Sequence, residues 1–223
     1  MAVGRVAIVG GTGDEGFGLG IRWAKAGFDI IVGSRDAERA ATAAHDLRAA
    51  AGGDATVEGL GNADAVAAAD VVVVTVPFSG QAAIYKSIAD SVGPETIVVD
   101  CTVPVAANVG AKATHTLGVW EGSAAQQALA FLPKGTKMCA AFHSLSAAAL
   151  NEPDSELEGD VLVVGSKQGK EVLKELTEAI PSLRFVDAGP LENARIIEPI
   201  TALLIGINHR YGTDRAGLRI TGI

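Results

Sequence analysis

Three groups of residues have types and spacings suited to holding anions and planar ligands at the ends of strands. The first, Gly11-Thr12-Gly13-Asp14-Glu15-Gly16, fits G-x-G-x-x-G and follows a short apolar run, Val6 to Val9. Such a loop cradles a pyrophosphate. Gly11 allows the strand-to-helix turn, Gly13 lets the anion reach the backbone without meeting a Cβ, and Gly16 lets the helix pack closely on the strand. Free amides at the helix start then face the anion. With 27 glycines in 223 residues the pattern alone is weak, and a plain structural glycine turn is the alternative. The strand before it and the helical pattern from Leu19 to Ala26 give it weight. Asp14 and Glu15 suit a helix N-terminus through its dipole but would repel a pyrophosphate if aimed at it, so they are expected to point to solvent.

The second group is Ser34, Arg35 and Arg39, about twenty positions beyond the glycines, where a dinucleotide fold distinguishes its two nicotinamide coenzymes. An acid there would hold a ribose 2′-hydroxyl. Two guanidinium groups one helical turn apart, with a hydroxyl, instead suit a 2′-phosphate, which arginine recognises through paired charge-assisted hydrogen bonds. NADP(H) is therefore expected rather than NAD(H). Asp36 reads as the N-cap of the next helix. The third group lies at two further strand ends. Val76-Pro77-Phe78 follows DVVVVT, and the coenzyme should pass over Val76 and Pro77, because ligands collect outside the carboxyl ends of parallel strands. Phe142-His143-Ser144-Leu145 brings together an imidazole, a hydroxyl and an apolar side chain. His143 has three readings: a hydrogen-bond donor to a ligand, a general acid, or a satisfied interior histidine.

Little else in the sequence does chemistry. His45 and His209 read as surface residues, His115 falls in an irregular stretch, and no Cys/His spacing suits a metal, so none is expected. Cys101 and Cys139, each among apolar residues, read as buried reduced thiols rather than a disulfide or a nucleophile. The net charge of −8 argues against nucleic acid or an anionic membrane as partner. No leader precedes the first strand and no uncharged run approaches the ~18 residues of a membrane span, so a soluble cytoplasmic protein is expected.

Positioning these groups requires an α/β fold. Strands are expected at Val6 to Val9, Asp29 to Gly33, Thr56 to Leu60, Asp70 to Pro77, Thr96 to Asp100, Lys137 to Phe142, Asp160 to Gly165 and Arg184 to Asp187. Helices are expected between most of them, among them Ala37 to Ala50, Gly80 to Val92, Ser123 to Phe131 and Gln168 to Ala179. Strands alternating with helices imply right-handed crossovers and a Rossmann-type, doubly wound, mostly parallel sheet of about eight strands. The stretch after Asp100 is the longest irregular segment and could form a wall of the cleft. Gly189-Pro190 marks a boundary between residues 1–188, the dinucleotide-binding domain, and residues 189–223. In the latter an apolar period at Ile196, Ile200, Leu203, Leu204 and Ile207 predicts one helix from Leu191 to Asn208 with a broad buried face. Too little chain follows to cover that face, so a homodimer is expected.

The strings GGTG, VGSR, VPF, FHS and DAGPLENAR, in this order and at these intervals, resemble the NADPH-dependent coenzyme F420 reductases, or deazaflavin:NADP oxidoreductases, over essentially the whole chain. The resemblance implies direct hydride transfer between C4 of the nicotinamide and C5 of the 8-hydroxy-5-deazaflavin, in a small Rossmann domain with a short helical C-terminal part, acting as a homodimer. By motif, Thr12 would contact phosphate; Ser34, Arg35 and Arg39 the 2′-phosphate; and His143, Ser144 and Leu145 the deazaflavin, with residues 189–223 completing that site. Asp14, Glu15 and Phe17 depart from the basic or neutral residues frequent in that loop. Hydride exchange between two bound coenzymes needs positioning and exclusion of water, so no catalytic side chain is required. Lys134, Lys137, Arg210, Arg215 and Arg219 are candidates for the acidic tail of the deazaflavin, or are ordinary solvated charges. Two other functions fit the dinucleotide half: an NADP-dependent reductase of a flavin, imine or keto acid, and a non-catalytic NADP-sensing module.

Overall fold

The computed structural model describes residues 3–223. In chain order the strands are β1 (Val6–Val9), β2 (Ile30–Ser34), β3 (Val57–Gly61), β4 (Val71–Val74), β5 (Ile97–Asp100), β6 (Lys137–Ala140), β7 (Gly159–Gly165) and β8 (Leu183–Asp187). The helices are α1 (Asp14–Lys25), α2 (Ala37–Ala51), α3 (Asn62–Ala67), α4 (Phe78–Ile88), α5 (Ala124–Ala130), α6 (Ala147–Leu150), α7 (Lys167–Glu178), α8 (Ala194–Ile197) and α9 (Ile200–Tyr211). They form one eight-stranded sheet, ordered β3-β2-β1-β4-β5-β6-β7-β8, parallel except where β7 runs against β6. The strand order reverses between β1 and β4, which opens a crevice at their carboxyl ends.

The continuous β-branched runs follow from burial on both faces. In β4, Val71 and Val73 join Val6, Ile8, Val99, Leu19, Trp23 and Leu173 beneath α1, α2 and α7. Val72 and Val74 join Ala7, Val9, Val98, Tyr85, Ile88 and Ala128 beneath α3, α4 and α5. The indole N–H of Trp23 donates to the Leu176 carbonyl at 2.9 Å and its ring meets Phe142 edge-on at 5.5 Å, tying α1 to α7 and to the end of β6.

Several element ends differ from the sequence expectation, and two of the differences reshape the segments around the site. α1 begins at Asp14 rather than Leu19, because Gly16 allows its first turn to lie on the sheet: a Cβ there would sit 2.4 Å from the Thr75 hydroxyl. The single helix expected from Leu191 to Asn208 is broken into a 3-10 turn, α8 and α9, the last starting just after Pro199, which lacks the N–H that a helix interior needs. The expected buried face is divided accordingly. Leu204 is buried and Ile200 and Ile207 are half-buried, but Ile196 and Leu203 remain about 60% exposed.

Beyond α9 the chain returns along β7. The buried Asp160 carboxylate accepts two hydrogen bonds from Arg184, both 2.7 Å, and one from the Ile220 N–H at 2.5 Å, while the Asp160 N–H donates to Leu218 at 2.8 Å. The Arg184 hydrogen bond holds the Asp160 carboxyl down at about 2, so this clasp stays charged at neutral pH.

Candidate functional site

The carboxyl edge of the sheet carries all three groups of residues. One hydrogen bond past each strand keeps the loops in line: Gly10 N–H to Gly33 at 3.2 Å, Thr75 N–H to Val9 at 2.9 Å, Cys101 N–H to Val74 at 3.0 Å and Ala141 N–H to Asp100 at 3.2 Å. The row from β2 to β6 is thus a single rim.

At the glycine loop the left-handed residue is Gly10, with φ +87°, rather than Gly11; Gly11 is instead a close approach, where a Cβ would lie 2.9 Å from the Ile8 carbonyl. Gly13 is the N-cap of α1 and is exposed, and a Cβ there would touch only the Gly10 carbonyl, at 3.4 Å. No side chain caps α1, whereas Asp36 caps α2, Ser123 caps α5 and Ser166 caps α7. The first amides of a twelve-residue helix are therefore free beside an open glycine and a half-buried Thr12, a fit for a pyrophosphate.

Ser34 ends β2, and Arg35 and Arg39 are exposed around the start of α2, with no acidic partner among the described residues. Asp36 accepts from the Glu38 and Arg39 amides at 3.0 and 3.2 Å, which confirms it as a cap. Two unpaired guanidinium groups at the strand end away from β4 fit a 2′-phosphate. Val76 is half-buried and Pro77 exposed just past β4, where the strand ends at Val74 rather than Pro77.

Asp14 is exposed as expected, but Glu15 is turned inward. It is half-buried, lies within electrostatic reach of Asp100 and Cys101, and has no hydrogen-bond partner among the described residues. Burial, then the Asp100 carboxylate, pushes its carboxyl up to about 8. The expectation that it points to solvent is corrected: with Gly16 pressed against Thr75, the second position of α1 is partly covered rather than free in solvent.

Phe142 takes φ +69°, a left-handed conformation that costs a bulky residue on the order of 1–3 kcal/mol and that its contact with Trp23 holds. This turn delivers His143, Ser144 and Leu145. Ser144 and Leu145 are half-buried. The His143 imidazole is 7% exposed and faces a void of about 10 Å³ between Ser144, Leu162, Ile197, Ile200 and Leu218, at the lower limit for one water; its Nε2 has no partner. Burial lowers its pKa to about 4, so it is neutral. The Thr201 hydroxyl donates to its carbonyl at 2.7 Å, tying the turn to α9. On the other side α6 is clamped to α1 by the buried Arg22, which donates to the carbonyls of Ala149, Leu150, Glu152 and Ser155. His143 to Leu145 are thereby fixed relative to the glycine loop.

Beneath the rim lies a buried polar network that local sequence patterns scarcely signal. Asp100, fully buried, accepts from Tyr85 and Thr102 at 2.8 Å and from Gln81 at 3.1 Å; Glu198, between α8 and α9, accepts from the Ala124 and Ala125 amides at 2.8 and 3.0 Å. It joins β5, α4, α5 and the C-terminal helices. An acid closing an otherwise apolar strand, TIVVD, and a glutamate before Pro199 in an apolar helix were its only signals. Burial raises Asp100 to about 7 and Glu198 to about 8. Both values exceed those of an unfolded chain, so the folded state binds more protons and loses stability as pH rises through these values. From pH 6 to 9 the loss from Asp100 and Glu198 together should be roughly 4 kcal/mol, at about 1.4 kcal/mol per unit, and Glu15, whose carboxyl is also raised to about 8, adds to the fall. Thermal melts should give a Tm several degrees lower at pH 9 than at pH 6; a flat profile would mean that both groups are already ionised at pH 6.

Of the basic residues considered for an acidic ligand, Lys137 pairs with Glu95 at 2.5 Å, Arg215 with Glu152 at 2.5 Å and Arg219 with Glu158 at 2.8 Å. Lys134 and Arg210 have no acidic partner among the described residues. His45, His115 and His209 are exposed, away from these contacts, and Cys101 and Cys139 are free and buried. Among the described residues no helix is long and apolar enough to cross a membrane.

A family model described as NADP oxidoreductase coenzyme F420-dependent matches residues 5–104. The F420-dependent NADP reductase of Methanothermobacter thermautotrophicus is 46% identical over 226 residues, covering 100% of this chain and 97% of that protein. That of Methanocaldococcus jannaschii is 39% identical, covering 98% and 99%. Among solved structures, a protein of Arthrobacter sp. FB24 superposes with a TM-score of 0.80 at 20% identity, covering 97% of this chain and 99% of that one. The Streptomyces aurantiacus imine reductase superposes with a TM-score of 0.61 at 14% identity, covering 93% of this chain but 63% of that enzyme.

Proposed function

Because the chain belongs to the family of F420-dependent NADP reductases, we propose that it transfers a hydride between NADP(H) and the deazaflavin coenzyme F420. The observation that carries this reading is the full-length identity to two reductases of that name, on a chain whose rim offers an uncapped helix start, an open Gly13 and two unpaired arginines. NADP(H) is held at Gly11, Thr12, Gly13 and Gly16 through its pyrophosphate, at Ser34, Arg35 and Arg39 through its 2′-phosphate, and passes over Val76 and Pro77. His143, Ser144 and Leu145 line the deazaflavin site, and neutral, buried His143 serves binding and transfers no proton. The bound coenzymes supply the electrons; the chain contributes alignment of the two reacting carbons and exclusion of water.

The reading includes residues 1–188 as the coenzyme domain and residues 189–223 as the part that flanks the deazaflavin and joins two copies. Support for a homodimer comes from Ile196, Leu203 and Tyr211, which are 61%, 60% and 80% exposed along α8 and α9. Light scattering should give twice the chain mass, and Leu203→Glu should shift it to the monomer; a wild-type monomer at micromolar concentration would remove this part of the reading. The reading includes a cytoplasmic location, supported by the polyanionic character of both coenzymes, which do not cross membranes unaided.

The test is to mix protein, NADPH and oxidised F420 anaerobically and follow the deazaflavin absorbance, with FMN and FAD as controls. Bleaching of F420 alone is expected. Equal or exclusive reduction of the flavins would favour another acceptor, and no turnover would favour an NADP-sensing module.

A further inference from the structure

Asn62, the first residue of α3, is a buried polar side chain that the rest of the chain leaves unpartnered. It is 8% exposed, and its Oδ1 is shut off from solvent with no hydrogen-bond donor among the described residues. An asparagine at a helix start commonly serves as its cap, but here Gly61 is the N-cap of α3 and no side chain caps that helix. A buried amide without a partner lowers stability, which an alanine at the same position would not do. The free chain thus holds a group whose missing hydrogen bond a ligand can supply.

Its place on the rim indicates which ligand. Asn62 directly follows Gly61, the residue of β3 that lies opposite Ser34 of β2. Its side chain reaches back over the neighbouring residue of β2: a Cβ built on Gly33 would lie 3.1 Å from the Asn62 Oδ1, 3.2 Å from the Ile8 carbonyl oxygen and 3.4 Å from the Val9 Cα. The carbonyl of the same Gly33 accepts from the Gly10 N–H at 3.2 Å. The carboxamide therefore lies against the carboxyl ends of β1 and β2, between the glycine loop and Ser34. A dinucleotide with its pyrophosphate at Gly13 and its 2′-phosphate at Ser34, Arg35 and Arg39 must lay its adenosine ribose across this spot.

We propose that Asn62 holds the adenosine ribose of NADP(H) through its 3′-hydroxyl, the one free hydroxyl of that sugar, on the carbon next to the phosphorylated one. This rests on the NADP reading of the site above. A hydroxyl both donates and accepts, so it complements either end of the carboxamide: it supplies the donor that Oδ1 lacks, or accepts from Nδ2. A turn about the soft terminal torsion of the side chain presents either end. The residue type also suits the neighbouring phosphate. A carboxylate at this point would hold a ribose diol but repel a 2′-phosphate, whereas a neutral amide grips the remaining hydroxyl without repulsion. Arg35 and Arg39 then select the phosphate by charge, and Asn62 fixes the sugar that carries it.

The experiment titrates NADPH and its 3′-deoxyadenosine analogue, followed by nicotinamide fluorescence and without deazaflavin, into wild type, Asn62→Ala and Asn62→Ser. Wild type should bind the analogue about tenfold more weakly than NADPH. Each variant should bind NADPH about tenfold more weakly than wild type does, and should bind NADPH and the analogue alike, because the contact is already gone. Melting curves of the coenzyme-free proteins give a readout that a packing role would move the other way. Removing an unpaired amide should leave the Tm of Asn62→Ala unchanged or raised, whereas loss of a packing residue would lower it by several degrees. Variants that bind NADPH as tightly as wild type, or that discriminate against the analogue by the wild-type factor, would overturn the proposal. Wild type that binds NADPH tightly and the analogue equally well would refute the role of Asn62 alone, whereas wild type that fails to bind NADPH would remove the NADP reading and this proposal with it. Since no F420 is present, an enzyme that fails to reduce F420 leaves the result intact.

Discussion

Replacing Arg35 and Arg39 together with alanine should lower the preference for NADPH over NADH by roughly two to four orders of magnitude, with NADH kinetics little changed. The 2′-phosphate is the sole difference between the coenzymes, and each charge-assisted hydrogen bond to it is worth roughly 1.5–3 kcal/mol. Both arginines are exposed and neither has an acidic partner among the described residues. Their charge is thus available to a ligand, but solvent screening favours the lower end of the range and should weaken the wild-type preference further as salt rises. Kinetics of the double variant with both coenzymes decide it: an undiminished preference would place the 2′-phosphate elsewhere on the rim.

Gly13→Val should strongly weaken coenzyme binding while leaving the fold intact. At φ −92° and ψ 160° the position suits any L-residue, and an added Cβ would meet nothing nearer than the Gly10 carbonyl at 3.4 Å. The Tm of the free protein should therefore change by a degree or two at most. The same branched side chain would stand where the pyrophosphate approaches the amides of α1, and the dissociation constant of NADPH should rise by on the order of 100-fold or more. The contrast with Gly16 is informative. There a Cβ would collide with Thr75 at 2.4 Å, so substitution should lower the Tm itself. Melting curves and NADPH titrations of both variants separate the two roles, and tight NADPH binding by Gly13→Val would place the pyrophosphate away from this loop.

The sheet was legible because a central parallel strand must be apolar on both faces, and VVVV admits few other readings. The N-cap at Asp36 was legible because its partners are the next few amides in the chain. Features set by distant residues were not. The first turn of α1, DEGFG, has poor helix formers and no apolar period; it is helical because Gly16 fits against Thr75, and that contact is written in no local pattern. Glu15 was misassigned for the same reason, since the dipole argument sees the helix end but not Asp100 across the rim. The network of Asp100, Gln81, Tyr85, Thr102 and Glu198 assembles only when β5, α4, α5 and the end of α8 meet. Arg215 and Arg219 read as free cations until the C-terminal segment folds back onto Glu152, Glu158 and Asp160.

Direct transfer of hydride between two bound coenzymes is tested most directly by isotope. NADPH carrying deuterium at one of its two C4 positions should, in a single anaerobic turnover with oxidised F420, deliver the label to C5 of the reduced deazaflavin; NADPH labelled at the other C4 position should keep it in NADP+. Deuterium appearing in water instead, or remaining in NADP+ from both labelled forms while F420 is reduced without it, would contradict the account.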